Sequence, residues 1–122
     1  MEHLVDEIRR LAESRGYRVE GEESTFVIIH PHVQPLRLKV HVEDDRVTLS
    51  LVADEIRDYI DDLVEERGEE EAREFIEEAL SDMEELAAQI EAVARRSGVR
   101  VENRVRSGAL DVLEALEDVL ES

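Results

Sequence analysis

Four histidines in a chain without cysteine are the first residues to test for metal chemistry. His30-Pro31-His32, with His41 nearby, has the close spacing that metal-binding histidines use. A metal site needs three or four ligands that converge on one point. Side chains along a strand alternate between two faces. That alternation sends His30 to the apolar face beside Leu36 and His41 to the opposite face, while His32 falls in a loop and His3 on the first helix. The histidines are therefore expected to be satisfied within the fold or solvent-facing, with no metal ligand among them.

Carboxylates are the second candidate. Asp54/Asp58, Glu70/Glu74 and Glu74/Glu77/Glu78 stand at helical spacing and could hold Mg²⁺, as in all-helical nucleotide pyrophosphohydrolases. Acids make up 33 of 122 residues, and at that density such spacings arise without selection for chemistry. They also lie opposite the apolar stripes of their helices, facing outward, whereas catalytic carboxylates sit in pockets that shift their pKa. With no cysteine there is no disulfide, thiolate zinc site or cysteine nucleophile. Five scattered glycines form no phosphate-binding loop, and no nucleophile elbow or dinucleotide fingerprint is present. The expectation is no catalytic residue and no cofactor. The alternative is a small metal-dependent hydrolase using carboxylates of the acidic helices.

The third candidate is a local inversion of charge. Residues 95–106 hold Arg95, Arg96, Arg100, Arg104 and Arg106 against one acid, Glu102, on a chain of net charge −18. Arginines at a helix C-terminus complement its dipole by about 0.3–1 kcal/mol each. They could also pair with acidic helices of this chain or of a second copy, or bind an acidic peptide or anion. Of 15 basic residues only Lys39 is lysine. The negative balance repels phosphate backbones, and four Phe and Tyr residues with no Trp give no stacking platform, so nucleic acid is not an expected partner. Acid-rich, lysine-poor composition also suits a salt-adapted or thermophilic source.

The element that must position these groups is a four-stranded antiparallel meander over residues 17–52. Turns at Glu22-Glu23, at residues 31–35 and at Asp44-Asp45 give three compatible registers. Together they place Tyr17, Ile28, Leu38 and Leu51 in one row, Val19, Phe26, Val40 and Leu49 in the next, and Val42 opposite Val47. A one-residue slip in any hairpin would scatter these rows across both faces. The strands are rich in β-branched and aromatic residues, as half-buried strands are. The opposite face carries Arg18, Val27, Lys39 and Ser50 in one row, Glu20, Thr25, His41 and Thr48 in another, and Ile29, Arg37 and Val52 in a third. It is too apolar for plain solvent and too basic for a plain core. Arg18, Val27, Ile29, Arg37, Lys39 and His41, with Arg95, Arg96, Arg100 and Arg104, are the candidate partner-binding residues.

Amphipathic helices surround the meander. Residues 2–15 carry Leu4, Ile8, Leu11 and Ala12 on one stripe, and Gly16 occupies a left-handed C-cap position. A second helix from Asp54 to Gly68 carries Ile56, Tyr59, Ile60, Leu63 and Val64. A third, over residues 69–97, steps by four and three through Ala72, Ile76, Ala79, Met83, Leu86, Ile90 and Val93. The two stripes are out of phase, which predicts a helical hairpin bent at Gly68. Val99 and Val101 then alternate with Arg100 and Glu102 as a short fifth strand whose neighbour the pattern leaves open. Ser107-Gly108 opens a last helix with Leu110, Leu113, Leu116 and Leu120. The segment Ile90 to Glu102 echoes Ile8 to Glu20, which compositional bias suffices to explain. A helix of 28 residues is about 42 Å long at 1.5 Å per residue, more than a four-stranded sheet covers, and the overhang suggests a homodimer.

The fold class expected is thus α+β in the order α-β-β-β-β-α-α-β-α, as one domain over residues 1–122. No apolar run approaches the roughly 20 residues of a membrane span, and Met1-Glu2-His3 lacks the features of a signal peptide, so a cytoplasmic protein is expected. The helix, Gly16-Tyr17-Arg18-Val19-Glu20 and the meander resemble the start of YbjN-like domains and, more loosely, type III secretion chaperones, over residues 4–63. The extra long helix and the single late strand depart from that pattern. The resemblance implies a small α+β binding module, often dimeric, without catalytic residues. The function expected is a non-enzymatic, chaperone- or adaptor-like module that binds another protein or a second copy of itself.

Overall fold

The structure, a computed structural model, describes residues 2–121, with only the backbone described at residue 2. Among the described residues the elements are α1 (Glu2–Ser14), β1 (Arg18–Glu20), β2 (Thr25–Ile29), β3 (Arg37–Val42), β4 (Arg46–Val52), α2 (Ile56–Arg67), α3 (Glu69–Arg96), β5 (Arg100–Asn103) and α4 (Val105–Glu121). The class is α+β, in the order expected. One sheet runs β1-β2-β3-β4-β5, antiparallel except for the parallel pair β4–β5. The α2–α3 hairpin bridges β4 and β5, the kind of crossover that parallel neighbours require.

The pairing of β2, β3 and β4 follows the apolar rows. Phe26 lies opposite Val40 and Val40 opposite Leu49, Ile28 opposite Leu38 and Leu38 opposite Leu51, and Val42 opposite Val47. The first strand is a correction: Val19 faces Ile28 and Arg18 faces Ile29, two residues from the expected register. The first turn is wider than a Glu22-Glu23 turn, with residues 21–24 between the strands. Arg9 closes it from α1, donating to the Gly21 carbonyl with its guanidinium 4.8 Å from the Phe26 ring centroid. A two-residue slip conserves which face each side chain takes, so Val19 stays on the core side.

That side holds the core. Ile28, Leu38, Val40 and Leu49 of the sheet are fully buried with Ile8 of α1, Ile60 of α2, Met83 and Ile90 of α3 and Leu116 of α4. All four helices thus join the same face of the sheet. The stripe of α3 is buried from Ala72 to Ala94, against α1, α2, α4 and β5. The length of α3 that a sheet could not cover is therefore covered by the chain's own helices. No helix is long and apolar enough to cross a membrane among the described residues.

Two helix starts differ from expectation. α2 begins at Ile56, because Glu55 takes a left-handed conformation (φ 61°, ψ 21°) that interrupts the helix at Asp54. α4 begins at Val105, ahead of Ser107: the Asn103 side-chain oxygen accepts the Val105 N–H at 3.0 Å, directly after Arg104 N–H has bonded the Leu49 carbonyl at 2.8 Å. Gly108 consequently lies inside the helix. A Cβ there would come within 2.7 Å of Leu51 Cβ and 2.8 Å of its carbonyl oxygen, so the glycine is what lets α4 approach β4.

The two echoing segments share their geometry. Tyr17 N–H bonds Ala12 O (3.1 Å) and Gly16 N–H bonds Glu13 O (3.0 Å); at the same offset Val99 N–H bonds Ala94 O (3.3 Å) and Gly98 N–H bonds Arg95 O (3.0 Å). Both are Schellman ends with a left-handed glycine, at φ 88° and 83°. Each delivers its strand to one outer edge of the sheet.

Candidate functional site: the open face of the sheet

The second face carries no helix. From β1 to β5 its residues are Arg18 and Glu20; Thr25, Val27 and Ile29; Arg37, Lys39 and His41; Arg46, Thr48, Ser50 and Val52; and Arg100 and Glu102. Five permanent cations face two carboxylates on a chain of net charge −18. Lys39 lies between Val27 and Ser50, and Arg37 between Ile29 and Val52. An open groove of about 580 Å³ runs over the middle of this face, lined by Lys39, His41, Thr48 and Ser50 and rimmed by Arg46 and Arg104.

Most of the candidate residues come together here. Arg18, Val27, Arg37, Lys39 and His41 share the face, and the parallel pairing of β5 adds Arg100 opposite Arg46, with Arg104 at the groove. One placement is a correction. Ile29 lies on this face but is only 2 % exposed, flanked by Arg18 and Arg37, side chains whose aliphatic stems can bury a neighbour while their heads stay in water. It supports the surface without presenting itself to a partner. Arg95 and Arg96 lie in the last turn of α3, where the sequence places them, and Arg95 turns back along the helix to Glu91 at 2.8 Å. The sequence alone missed Arg46 and Glu102. Arg46 follows from the same alternation along β4 that puts Thr48 and Ser50 on this face, whereas Glu102 depends on β5 pairing with β4, hinted at by the polar half of the Val99/Val101 alternation.

Charge on the face is unevenly compensated. Arg46 reaches Glu43 at 3.2 Å and Glu102 at 3.9 Å, Arg104 reaches Glu102 at 2.7 Å, Arg100 reaches Asp45 at 3.1 Å, and Arg18 stands 3.5 Å from Glu20. Hydrogen bonding from Arg104 lowers the Glu102 carboxyl below its usual range, and the bond to Glu43 raises Arg46. His41 Nδ1 is 2.5 Å from Thr25 Oγ1, and its Nε2 is 3.6 Å from Glu43. Arg37 donates to the Gln34 carbonyl at 3.4 Å. Among the described residues neither Arg37 nor Lys39 has a carboxylate partner within 4.0 Å.

Another concave region lies where the β2–β3 loop meets α3. His30 is 2 % exposed; its Nδ1 accepts the His32 and Val33 N–H groups, both at 3.1 Å, and its Nε2 lies 3.0 Å from Asp82 Oδ2. A nitrogen that accepts two N–H groups carries no proton, so the proton sits on Nε2 and is donated to Asp82. Beside it a hollow of about 310 Å³ is lined by Arg15, Tyr17, His32, Asp82, Glu85 and Gln89, among others. Burial, then Asp82 and Glu85, push the Tyr17 phenol up to about 12. His30 has both ring nitrogens engaged inside the chain and points away from His41, as the alternation requires.

Asp54, ahead of α2, and the helix carboxylates Asp58, Glu70, Glu74, Glu77 and Glu78 are all exposed. Among the described residues no three His, Asp or Glu side chains are grouped so as to hold a metal ion. Comparison with protein-family models, with curated proteins and with solved structures gives no match.

Proposed function

We propose that this domain is a non-enzymatic protein-binding module whose partner docks on the open face of the sheet. One observation carries the reading: four helices cover one face, and the face they leave bare has the opposite charge to the chain and apolar residues among its cations. Solvent exposure of one face is ordinary for an antiparallel sheet. A plain solvent face on so acidic a chain would nonetheless be expected to carry acids, not Arg18, Arg37, Lys39, Arg46 and Arg100. The reading accords with what the resemblance to YbjN-like domains implies.

Charge also bears on which partner is favoured. Two copies joined by this face would bring cation against cation, and the stripe of α3 that suggested a dimer is already covered within the chain. A protein other than a second copy is the better-supported occupant. The test is partner recovery from lysate of the source by the wild-type chain and by an Arg37→Glu/Lys39→Glu variant of equal thermal stability. Proteins recovered by the first and lost by the second support the reading; identical recovery contradicts it.

A further inference from the structure

The cations of the open face divide into two groups. At the β4–β5 side Arg46, Arg100 and Arg104 already have carboxylates of the chain itself, at 2.7–3.9 Å. Arg37 and Lys39, successive on the same face of β3, have none within 4.0 Å among the described residues. Their apolar neighbours Val27 and Val52 are half-buried and accessible to a ligand. The uncompensated charge of this face is thus a pair of cations on one strand, edged on both sides by valines.

Resting on the preceding reading, we infer that the partner presents a short acidic amphipathic segment, with carboxylates over Arg37 and Lys39 and apolar residues over Val27 and Val52. Residues i and i+2 of a strand stand about 6.6–6.8 Å apart. Carboxylates at i and i+4 of a helix rise by about 6 Å and share one face, so they match that pair. A helix aligned in this way runs along β3, whose six residues span about 20 Å, the length of a helix of about 13 residues. The segment must be short. An extended acidic surface would also meet the acids of the helices and loops of a chain of net charge −18, whereas a segment confined to the middle of β3 lies over Arg37 and Lys39, with Asp54 and Glu55 beside the Arg37 end and Glu43 beside the other. At physiological salt the repulsion fades beyond about 8 Å, so the local pairing decides.

The test uses three 14-residue helical peptides of identical apolar positions, bearing Glu, Gln or Lys at the charged ones, titrated into the full chain by fluorescence anisotropy and amide chemical shifts. The Glu peptide is expected to bind saturably and to shift β2, β3 and β4. Replacing its Glu by Gln, or substituting Arg37→Gln and Lys39→Gln, is expected to weaken binding about tenfold or more, as loss of charge-assisted pairs does. An unchanged melting temperature of that variant keeps folding out of the comparison. Equal binding of the Gln or Lys peptide at the sheet overturns the acidic assignment and leaves the sheet face standing as a docking surface. Shifts confined to the helices overturn both. No saturable binding by any of the three overturns the acidic assignment, and the sheet face is then judged by partner recovery alone.

Discussion

His30, at the end of β2, donates its Nε2–H to Asp82 of α3 at 3.0 Å, across 52 residues of sequence. Its Nδ1 accepts two N–H groups of the following loop, so one imidazole ties that loop to itself and to the longest helix. Replacing it leaves two donors without their acceptor and opens a void in a site 2 % exposed. His30→Ala is expected to cost about 2–4 kcal/mol in urea unfolding. Asp82→Asn keeps an oxygen acceptor at a half-exposed position and is expected to cost less than about 1 kcal/mol. Equal costs would contradict this division of roles.

Tyr17 adds a pH dependence. Its phenol is raised to about 12, first by burial and then by Asp82 and Glu85. Above the ordinary tyrosine range, near 10, the unfolded chain loses a proton that the folded chain retains, so stability falls as pH rises. The window is pH 10 to about 12, with the contribution intact below it. Tyr17→Phe is expected to flatten the loss of melting temperature across that window. Burial also raises Tyr59, so an ultraviolet titration of the native chain should show neither of its two tyrosines ionising at the ordinary pH.

Glu55 stands in left-handed backbone ahead of α2, exposed and with no side-chain cap bond. A left-handed non-glycine residue costs about 1–2 kcal/mol. Glu55→Gly is expected to stabilise the fold by about 0.5–1 kcal/mol, part of the gain being lost to the greater freedom of glycine in the unfolded chain. A lower denaturation midpoint would show that Glu55 makes a contribution the geometry does not reveal.

Gly108 is the fourth residue of α4, and within a helix glycine is ordinarily poorer than alanine by up to about 1 kcal/mol. Here the sign should reverse. A methyl group would stand 2.8 Å from the backbone oxygen of Leu51, which cannot rotate aside. Gly108→Ala is expected to destabilise by about 1–3 kcal/mol as α4 is pushed off β4. The same substitution at an exposed helical position would stabilise.

The legible part of this fold was whatever a pattern of period two or 3.6 can specify. Phe26, Ile28, Leu38, Val40, Leu49 and Leu51 fall on one face in the observed register and leave it with any one-residue slip, and the turns at residues 31–35 and at Asp44-Asp45 choose among the even ones, so β2, β3 and β4 could be aligned from the sequence. Val19 could slip by two residues without leaving that face, and nothing in the pattern opposes such a slip. The alternation of Val99 and Val101 marks a strand but carries neither direction nor neighbour, which is why Arg100 and Glu102 could not be joined to the sheet face in advance. Ile29 was assigned to the right face, but its burial depends on two flanking arginines rather than on its own position in the pattern. The His30–Asp82 bond joins positions too far apart in sequence for any local rule.

Reversal of the two uncompensated charges on β3 tests the central claim most directly. The wild-type chain and the Arg37→Glu/Lys39→Glu variant, matched for melting temperature, are used side by side to recover proteins from lysate of the source, and the recovered proteins are quantified by mass spectrometry. The account predicts at least one partner enriched by the wild type and depleted about tenfold or more by the variant, the scale of losing charge-assisted contacts. Partners recovered equally by both chains would contradict the assignment of the open sheet face as the docking surface.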